Sequence, residues 1–301
     1  MLKRLSPEPA KKYSKKRVLY NKIDFALGKK IYGSTVGFMN NFKNGKDILT
    51  KPNEKAKNIN PELYSLIKNG FTSFPSQYDE SLIKNIQKKY QILMNDDNHS
   101  FTHSKSKEYD FGRMIRDPSI IFPEISQLIT KDVLALVGEY YNTNFIISNI
   151  QCARNYPVPI EIRKEFETFS NFWHQDKDPI SQCKYFVYLS DVSEADGPFN
   201  VLTKKRTKEL INSGFGNRDN NKISQEILED PINLTKMMGP AGTSFFGCPP
   251  LCLHRAGDPE KGHFRDMVQF TFKSSDSPLP ENWIDICPGT PLNIVPRTYE
   301  K

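Results

Sequence analysis

No stretch of this 301-residue chain approaches the roughly 20 consecutive apolar residues that a bilayer-spanning helix needs. The opening Met1-Leu2-Lys3-Arg4-Leu5-Ser6-Pro7 runs into further lysines rather than the apolar h-region of a secretory leader. Cysteine is sparse, and the five present (Cys152, Cys183, Cys248, Cys252, Cys287) are odd in number and scattered, which excludes a regular disulfide framework and points to reduced thiols. These absences together predict a cytoplasmic protein. No internal period is visible, so a solenoid or propeller is excluded. Strands and helices do not alternate after Asn144, which argues against a doubly wound sheet.

What is present is a globular balance, 37% hydrophobic and 26% charged, with twenty Phe and thirteen Tyr to fill a core. The net charge of +7 is uneven: residues 1–57 hold fifteen Lys/Arg against four Asp/Glu, a net +11 that leaves −4 for the remainder. Residues 1–57 therefore read as a basic extension and 58–301 as the main domain, to which the motifs below give an oxygenase reading. Such an arm can meet an acidic partner or surface. No aromatic-interleaved or recognition-helix pattern accompanies the charge, so no specific nucleic acid is expected.

From Asn60 the pattern sharpens. Pro61–Ile67 reads as a helix with Pro in its first turn, stopped at Asn69-Gly70. Phe71–Phe74 reads as a strand, Ser76–Met94 and Pro123–Tyr141 as amphipathic helices, and 95–107 as polar loop. Seven strands follow: Phe145–Ala153, Phe172–Asp176, Lys184–Leu189, Phe199–Leu202, Thr243–Phe246, Leu251–Arg255 and Asp266–Phe272. This predicts a mainly β protein with flanking helices and a jelly-roll, cupin-like core.

In Phe172-Trp173-His174-Gln175-Asp176, extended backbone turns residues two apart to the same face, so His174 and Asp176 converge. An imidazole and a carboxylate so placed are two of the three ligands of a 2-His-1-carboxylate facial triad, which leaves open positions on iron(II) for a chelating co-substrate and O2. The distal ligand is His254, in Leu253-His254-Arg255-Ala256-Gly257, or His263, which sits in a charged, Gly-containing turn two residues before Arg265. His254 is preferred, because its eleven-residue separation lets a neighbouring strand present the imidazole while Arg265 opens the next. The planar guanidinium of Arg265 matches a carboxylate such as the distal one of 2-oxoglutarate. Cys248 and Cys252 with His254 supply only three zinc donors around two adjacent prolines, too few for a structural site. His99 and His103 read as loop histidines and Lys204-Lys205-Arg206 as a solvated charge run. Arg113 and Arg116 fall near the expected pocket cover.

Taken together, Trp173-His174-Gln175-Asp176, Tyr188-Leu189-Ser190-Asp191-Val192 with Asp196-Gly197-Pro198-Phe199, and Leu253–Gly257 with Arg265 make the chain resemble the phytanoyl-CoA dioxygenase-like family of iron(II)/2-oxoglutarate oxygenases over most of residues 60–275. The resemblance implies a double-stranded β-helix, iron on His174, Asp176 and His254, 2-oxoglutarate held by Arg265, and an aromatic neighbour of the co-substrate at Tyr188. It departs at Ala256, where family members often carry Ser. The expected activity is hydroxylation of an unactivated C–H bond in a small molecule. The rival reading is a catalytically inactive jelly-roll module that binds a sugar or small ligand.

Overall fold

The computed structural model describes residues 58, 60–75, 78–142, 144–176, 182–213, 215, 218, 230–275, 277–287 and 296–300. The basic segment 1–57 lies outside the described residues. The first main element among the described residues is helix α1 (Pro61–Asn69), whose N-terminus is capped when the Asn60 side chain accepts a hydrogen bond from Leu63 N. Gly70, in the left-handed region at φ 86°, ends it as predicted and turns the chain into strand β1 (Phe71–Phe74). Helix α2 (Glu80–Met94) starts later than the hydrophobic pattern suggested, after Asp79.

Two segments depart from the sequence reading. Residues 95–107 contain a strand, β2 (Ser100–Lys105), which pairs antiparallel with β3 (Asp110–Ile115). Only Phe101 and Thr102 of Ser-Phe-Thr-His-Ser-Lys favour a strand, and no apolar alternation accompanies them, so main-chain pairing with β3 defines this strand. The single helix expected over Pro123–Tyr141 is two elements: a 3-10 helix Pro123–Leu128, and α3 (Lys131–Tyr141), which restarts where the Thr130 hydroxyl accepts from Val133 N. An N-cap in mid-pattern breaks the helix although the apolar spacing runs on.

The other main elements among the described residues are strands β4 (Phe145–Asn155), β5 (Cys183–Tyr188), β6 (Phe199–Leu202), helix α4 (Lys204–Asn212), β7 (Leu234–Met237), β8 (Ser244–Gly247), β9 (His254–Ala256), β10 (Arg265–Ser274) and β11 (Arg297–Thr298), with short helices at Pro118–Ile121, Ile160–Glu165 and Trp283–Ile286. The large sheet has the order β1-β8-β5-β10-β4-β3-β2-β11, antiparallel except for β11 on β2, and a small sheet has the order β7-β6-β9. This is the predicted double-stranded β-helix, or jelly-roll, with helices against one face. No helix among the described residues is long and apolar enough to cross a membrane.

Strand alternation sorts the large sheet into two faces. Val268, Phe270 and Phe272 of β10, Ile150 and Cys152 of β4, and Cys183, Tyr185 and Val187 of β5 pack with Ile86 and Tyr90 of α2 and Leu136 and Val137 of α3. The opposite face carries Phe186 and Tyr188, which pack with Phe199, Val201 and Met237 of the small sheet. By the same alternation Arg265, Met267, Gln269 and Thr271 also face the small sheet, opposite Asn155, Ala153, Gln151 and Asn149 of β4. Five of those eight side chains are neutral and polar, in an interior otherwise built from aromatics.

On the helix-covered face, Asp266 is fully buried and accepts from Arg154 Nε and Nη2, both at 2.6 Å, and from Gln91 Nε2 at 2.9 Å. Arg154 also donates to Gln91 Oε1 at 2.5 Å, closing the network between α2, β4 and β10. Removing one partner of a buried pair leaves an uncompensated charge. Arg154→Met is therefore expected to lower unfolding stability by about 3 kcal/mol or more. Denaturant titration checks this, and a change below about 1 kcal/mol would show that water reaches Asp266.

Candidate metal centre

The segment around His174 is not the regular strand predicted for Phe172–Asp176. It is irregular backbone joined to β9 by one antiparallel bridge: His174 N donates to His254 O at 3.0 Å and His254 N to His174 O at 2.9 Å. The approach is fixed upstream by Phe169 and Ser170, both left-handed (φ 48° and 60°), by Thr168 N donating to Asn171 Oδ1, and by Ala256 N donating to Ser170 O. Two consecutive non-glycine residues in that region are strained, so the surrounding contacts must hold them there. One such contact is the Phe169 ring lying over Gly112, where a Cβ would fall 1.3 Å from Cζ. Any side chain at 112 would displace the ring that braces the turn.

A second close approach explains two motif glycines. A Cβ on Gly257 would lie 2.6 Å from the Pro198 carbonyl oxygen, and one on Gly197 would lie 2.6 Å from the Asp258 carbonyl carbon. The Asp196–Phe199 and Leu253–Gly257 motifs thus meet backbone to backbone, which seats β9 on β6 with Val201 opposite His254.

The bridge brings both imidazoles and the Asp176 carboxylate into one cluster, with one ligand atom from each residue lying within 4.8 Å of the others. Asp176 Oδ1 is 3.5 Å from His174 Nε2 and 3.7 Å from His254 Nε2. Each imidazole is oriented in the same way: His174 Nδ1 is 2.7 Å from Phe172 O, and His254 Nδ1 is 3.0 Å from Cys252 O. A carbonyl can only accept, so both Nδ1 atoms carry protons and both Nε2 lone pairs face the carboxylate. Burial and the neighbouring His174 push His254 down to about 3, which keeps it neutral and able to bind a metal. Burial alone would raise Asp176, but before a metal binds the imidazoles when protonated, together with the Lys184 ammonium, outweigh it and hold the carboxyl below its usual range as an anion. Two neutral nitrogens and one carboxylate oxygen fit a divalent first-row transition metal and leave part of its sphere open.

The other candidates fall elsewhere. His263 is half-exposed and pairs through Nδ1 with Asp196 Oδ1 at 2.8 Å, outside the cluster. His99 is a loop residue hydrogen-bonded to Asp96. His103, also read as a loop residue, instead stands in β2 with its ring 4.7 Å from Phe169. Lys204-Lys205-Arg206 is not a free charge run but the first turn of α4; Lys204 Nζ reaches the Ile67 carbonyl at 2.6 Å and Arg206 pairs with Glu209 and Asp230. Arg113 is engaged by Asp97, Asp110 and Ser100, and Arg116 lies over the Phe101 ring.

Arg265 opens β10 on the face turned to the small sheet, opposite Asn155. It is 2% exposed and its Nη1 is buried without a hydrogen-bond partner among the described residues. Burial lowers its guanidinium from the usual range, countered by Tyr188 and Asp258. A buried cation with an idle donor is costly and suits an anionic ligand. The Tyr188 hydroxyl donates to Met237 O at 2.9 Å and accepts from Phe199 N at 3.1 Å, so its proton is already committed and it acts as a wall near Arg265. Lys184, which no motif singled out, donates to Asp176 Oδ2 at 2.7 Å.

No protein-family model matches the chain. Its fold is shared with structures of iron- and 2-oxoglutarate-dependent enzymes. SnoN, described as a non-haem alpha-ketoglutarate-dependent epimerase from nogalamycin biosynthesis, is 13% identical with a TM-score of 0.54, covering 81% of this chain and 95% of its own. EctD from S. alaskensis with bound Fe is 16% identical with a TM-score of 0.53, covering 71% and 76%. HygX from Streptomyces hygroscopicus, solved with nickel, 2-oxoglutarate and hygromycin B, is 14% identical with a TM-score of 0.50, covering 73% and 88%. At these identities the likeness establishes the jelly-roll fold.

Replacing His174, Asp176 or His254 by Ala removes one of the three ligands clustered among the described residues, and loss of outer partners alone typically costs 10- to 100-fold in metal affinity. Affinity for a divalent metal, titrated as iron(II), is accordingly expected to fall by more than about 100-fold in each. The His263→Ala, His99→Ala and His103→Ala proteins should titrate like the wild type. Anaerobic iron titration decides it, and retention of iron by His254→Ala with loss in His263→Ala would reassign the distal ligand.

Proposed function

We propose that this chain is an iron(II)- and 2-oxoglutarate-dependent dioxygenase that hydroxylates an unactivated C–H bond of a small-molecule substrate. The observation that carries the reading is the cluster of two Nε2 lone pairs and one carboxylate oxygen within 4.8 Å, on a jelly-roll whose interior also holds Arg265 with an idle donor. His174, Asp176 and His254 would hold the iron and Arg265 the distal carboxylate of 2-oxoglutarate. When bound, iron and co-substrate supply the oxidation: one O2 is consumed, one oxygen atom enters the substrate, and 2-oxoglutarate leaves as succinate and CO2.

The chain's own residues orient and neutralise. The carbonyls of Phe172 and Cys252 lock the imidazole tautomers, Arg265 supplies a buried positive charge for a dianion, and Tyr188 with the Phe186–Phe199–Phe245 cluster excludes water. An intact carboxylate at 176 supports oxygen transfer over halide transfer, which would need that position vacated. The same fold serves an epimerase in SnoN and a carbocyclase in SnoK, and EctD has been solved with 5-hydroxyectoine. Hydroxylation is thus our reading of the outcome, and the fold accommodates others. Our assignment of the chain to the phytanoyl-CoA dioxygenase-like branch is supported by the motifs around His174, Gly197 and His254. The absence of a hydroxyl at Ala256 leaves Arg265 with a larger share of the carboxylate contact.

The test is iron-dependent binding of 2-oxoglutarate followed by O2-dependent succinate formation, screened against candidate metabolites. An inactive binding module predicts neither. Arg265→Ala should retain iron yet weaken 2-oxoglutarate about 10- to 100-fold, the worth of a charge-assisted bidentate contact. Unchanged co-substrate affinity would make Arg265 a purely structural cation.

A further inference from the structure

Lys184 stands on β5 between Thr271 of β10 and Gly247 of β8. Alternation with Phe186 and Tyr188 places it on the face turned to the small sheet, the face that also meets the metal cluster. Its side chain is 15% exposed, and its one side-chain hydrogen bond among the described residues is to Asp176 Oδ2 at 2.7 Å. The two oxygens of that carboxylate are therefore divided: Oδ1 faces His174 and His254 Nε2, while Oδ2 is taken by an ammonium. A largely buried lysine is costly unless it is paired, and Asp176 is the pair.

We propose that Lys184 is a positioning residue for the metal centre, acting through Asp176, with two effects that follow from this division. By occupying Oδ2 it fixes the rotation of the carboxylate and leaves it one oxygen to offer, so that the remaining positions on the metal stay open to a chelating ligand. It also sets charge. Iron(II), one carboxylate, a dianionic co-substrate and the Arg265 guanidinium sum to zero, and the Lys184 ammonium beside Asp176 adds a positive charge that opposes entry of the metal cation and favours entry of the dianion. Lys184 thus matters more for binding the co-substrate than for binding the metal. The inference rests on the iron/2-oxoglutarate reading above.

Three variants separate charge, hydrogen bonding and bulk: Lys184→Met keeps bulk alone, Lys184→Gln adds a neutral donor, and Lys184→Arg restores donor and charge. Each is compared with wild type by anaerobic titration of iron(II), then of 2-oxoglutarate into the iron-loaded protein, following the visible charge-transfer absorption of the complex. Far-UV circular dichroism monitors folding. Lys184→Met is expected to weaken 2-oxoglutarate 10- to 100-fold, the usual range for a lost outer partner, and to shift the absorption band. Lys184→Gln should keep the band near its wild-type position while losing affinity, and Lys184→Arg should recover both. A folded Lys184→Met, or Lys184→Gln should the former not fold, with wild-type affinity and band would overturn the role of Lys184 alone. Failure of Lys184→Arg to recover what Lys184→Met loses would also overturn it, by making Lys184 a matter of shape. If the wild-type chain itself binds no iron(II), the reading of the whole centre falls and the role of Lys184 falls with it.

Discussion

The metal cluster hangs on a pair of main-chain hydrogen bonds. His174 and His254 are eighty residues apart, and their reciprocal N–H to carbonyl bonds set the two Cα atoms side by side with both side chains on one face. With the backbone so fixed, the rings stand 4.2 Å apart between centroids, and Asp176, two residues on, follows to the same side. Everything nearby serves that bridge. The left-handed turn at Phe169-Ser170 aims the incoming chain, and the bare backbone contact between Gly197 and Gly257 presses β9 onto β6. Neither half of the centre has a place to stand without the other.

Most of this could be read in the sequence, since His-x-Asp beside aromatics, a distal His in an apolar run and an Arg opening the next run are local patterns with chemical meaning. The strands Phe71–Phe74 and Phe199–Leu202 agree to the residue for the same reason: short apolar runs bounded by turn residues. What could not be read depends on contacts remote in sequence. Strand β2 carries no hydrophobic signature of its own, and the break before α3 is written by one threonine hydroxyl inside an uninterrupted helical pattern. The His174 segment looks extended in sequence because residues two apart must converge there, and irregular backbone achieves that convergence as well as a strand does. Lys184 was invisible because its meaning comes from Asp176 folding back across eight residues onto β5.

The interior is electrostatically layered. Nearest the cluster an anion is held between two imidazoles and an ammonium; beyond it Gln269 donates to Gln151 of β4 and to Thr271 of β10; at the start of β10 sits the partly idle Arg265. Fixed dipoles and charges in a buried interior act at low dielectric, where they count for more than in water. Such an interior suits a ligand charged at one end and chelating at the other, the shape of the co-substrate we propose.

The neighbours Arg265 and Asp266 have a consequence for how the chain finds its register. They are adjacent on β10 yet point to opposite faces, the cation into the cavity and the acid into the Arg154–Gln91 network. A slip of one residue would exchange them, setting an acid on the small-sheet face where we propose that the co-substrate binds and a second guanidinium against Arg154. Hydrophobic pattern alone tolerates such slips in a strand where seven of ten residues are buried on one face or the other. Here two opposite charges in succession act as a proofreading mark: the misaligned strand is penalised on both faces at once, so the residues that furnish the site also tell the sheet where to lock.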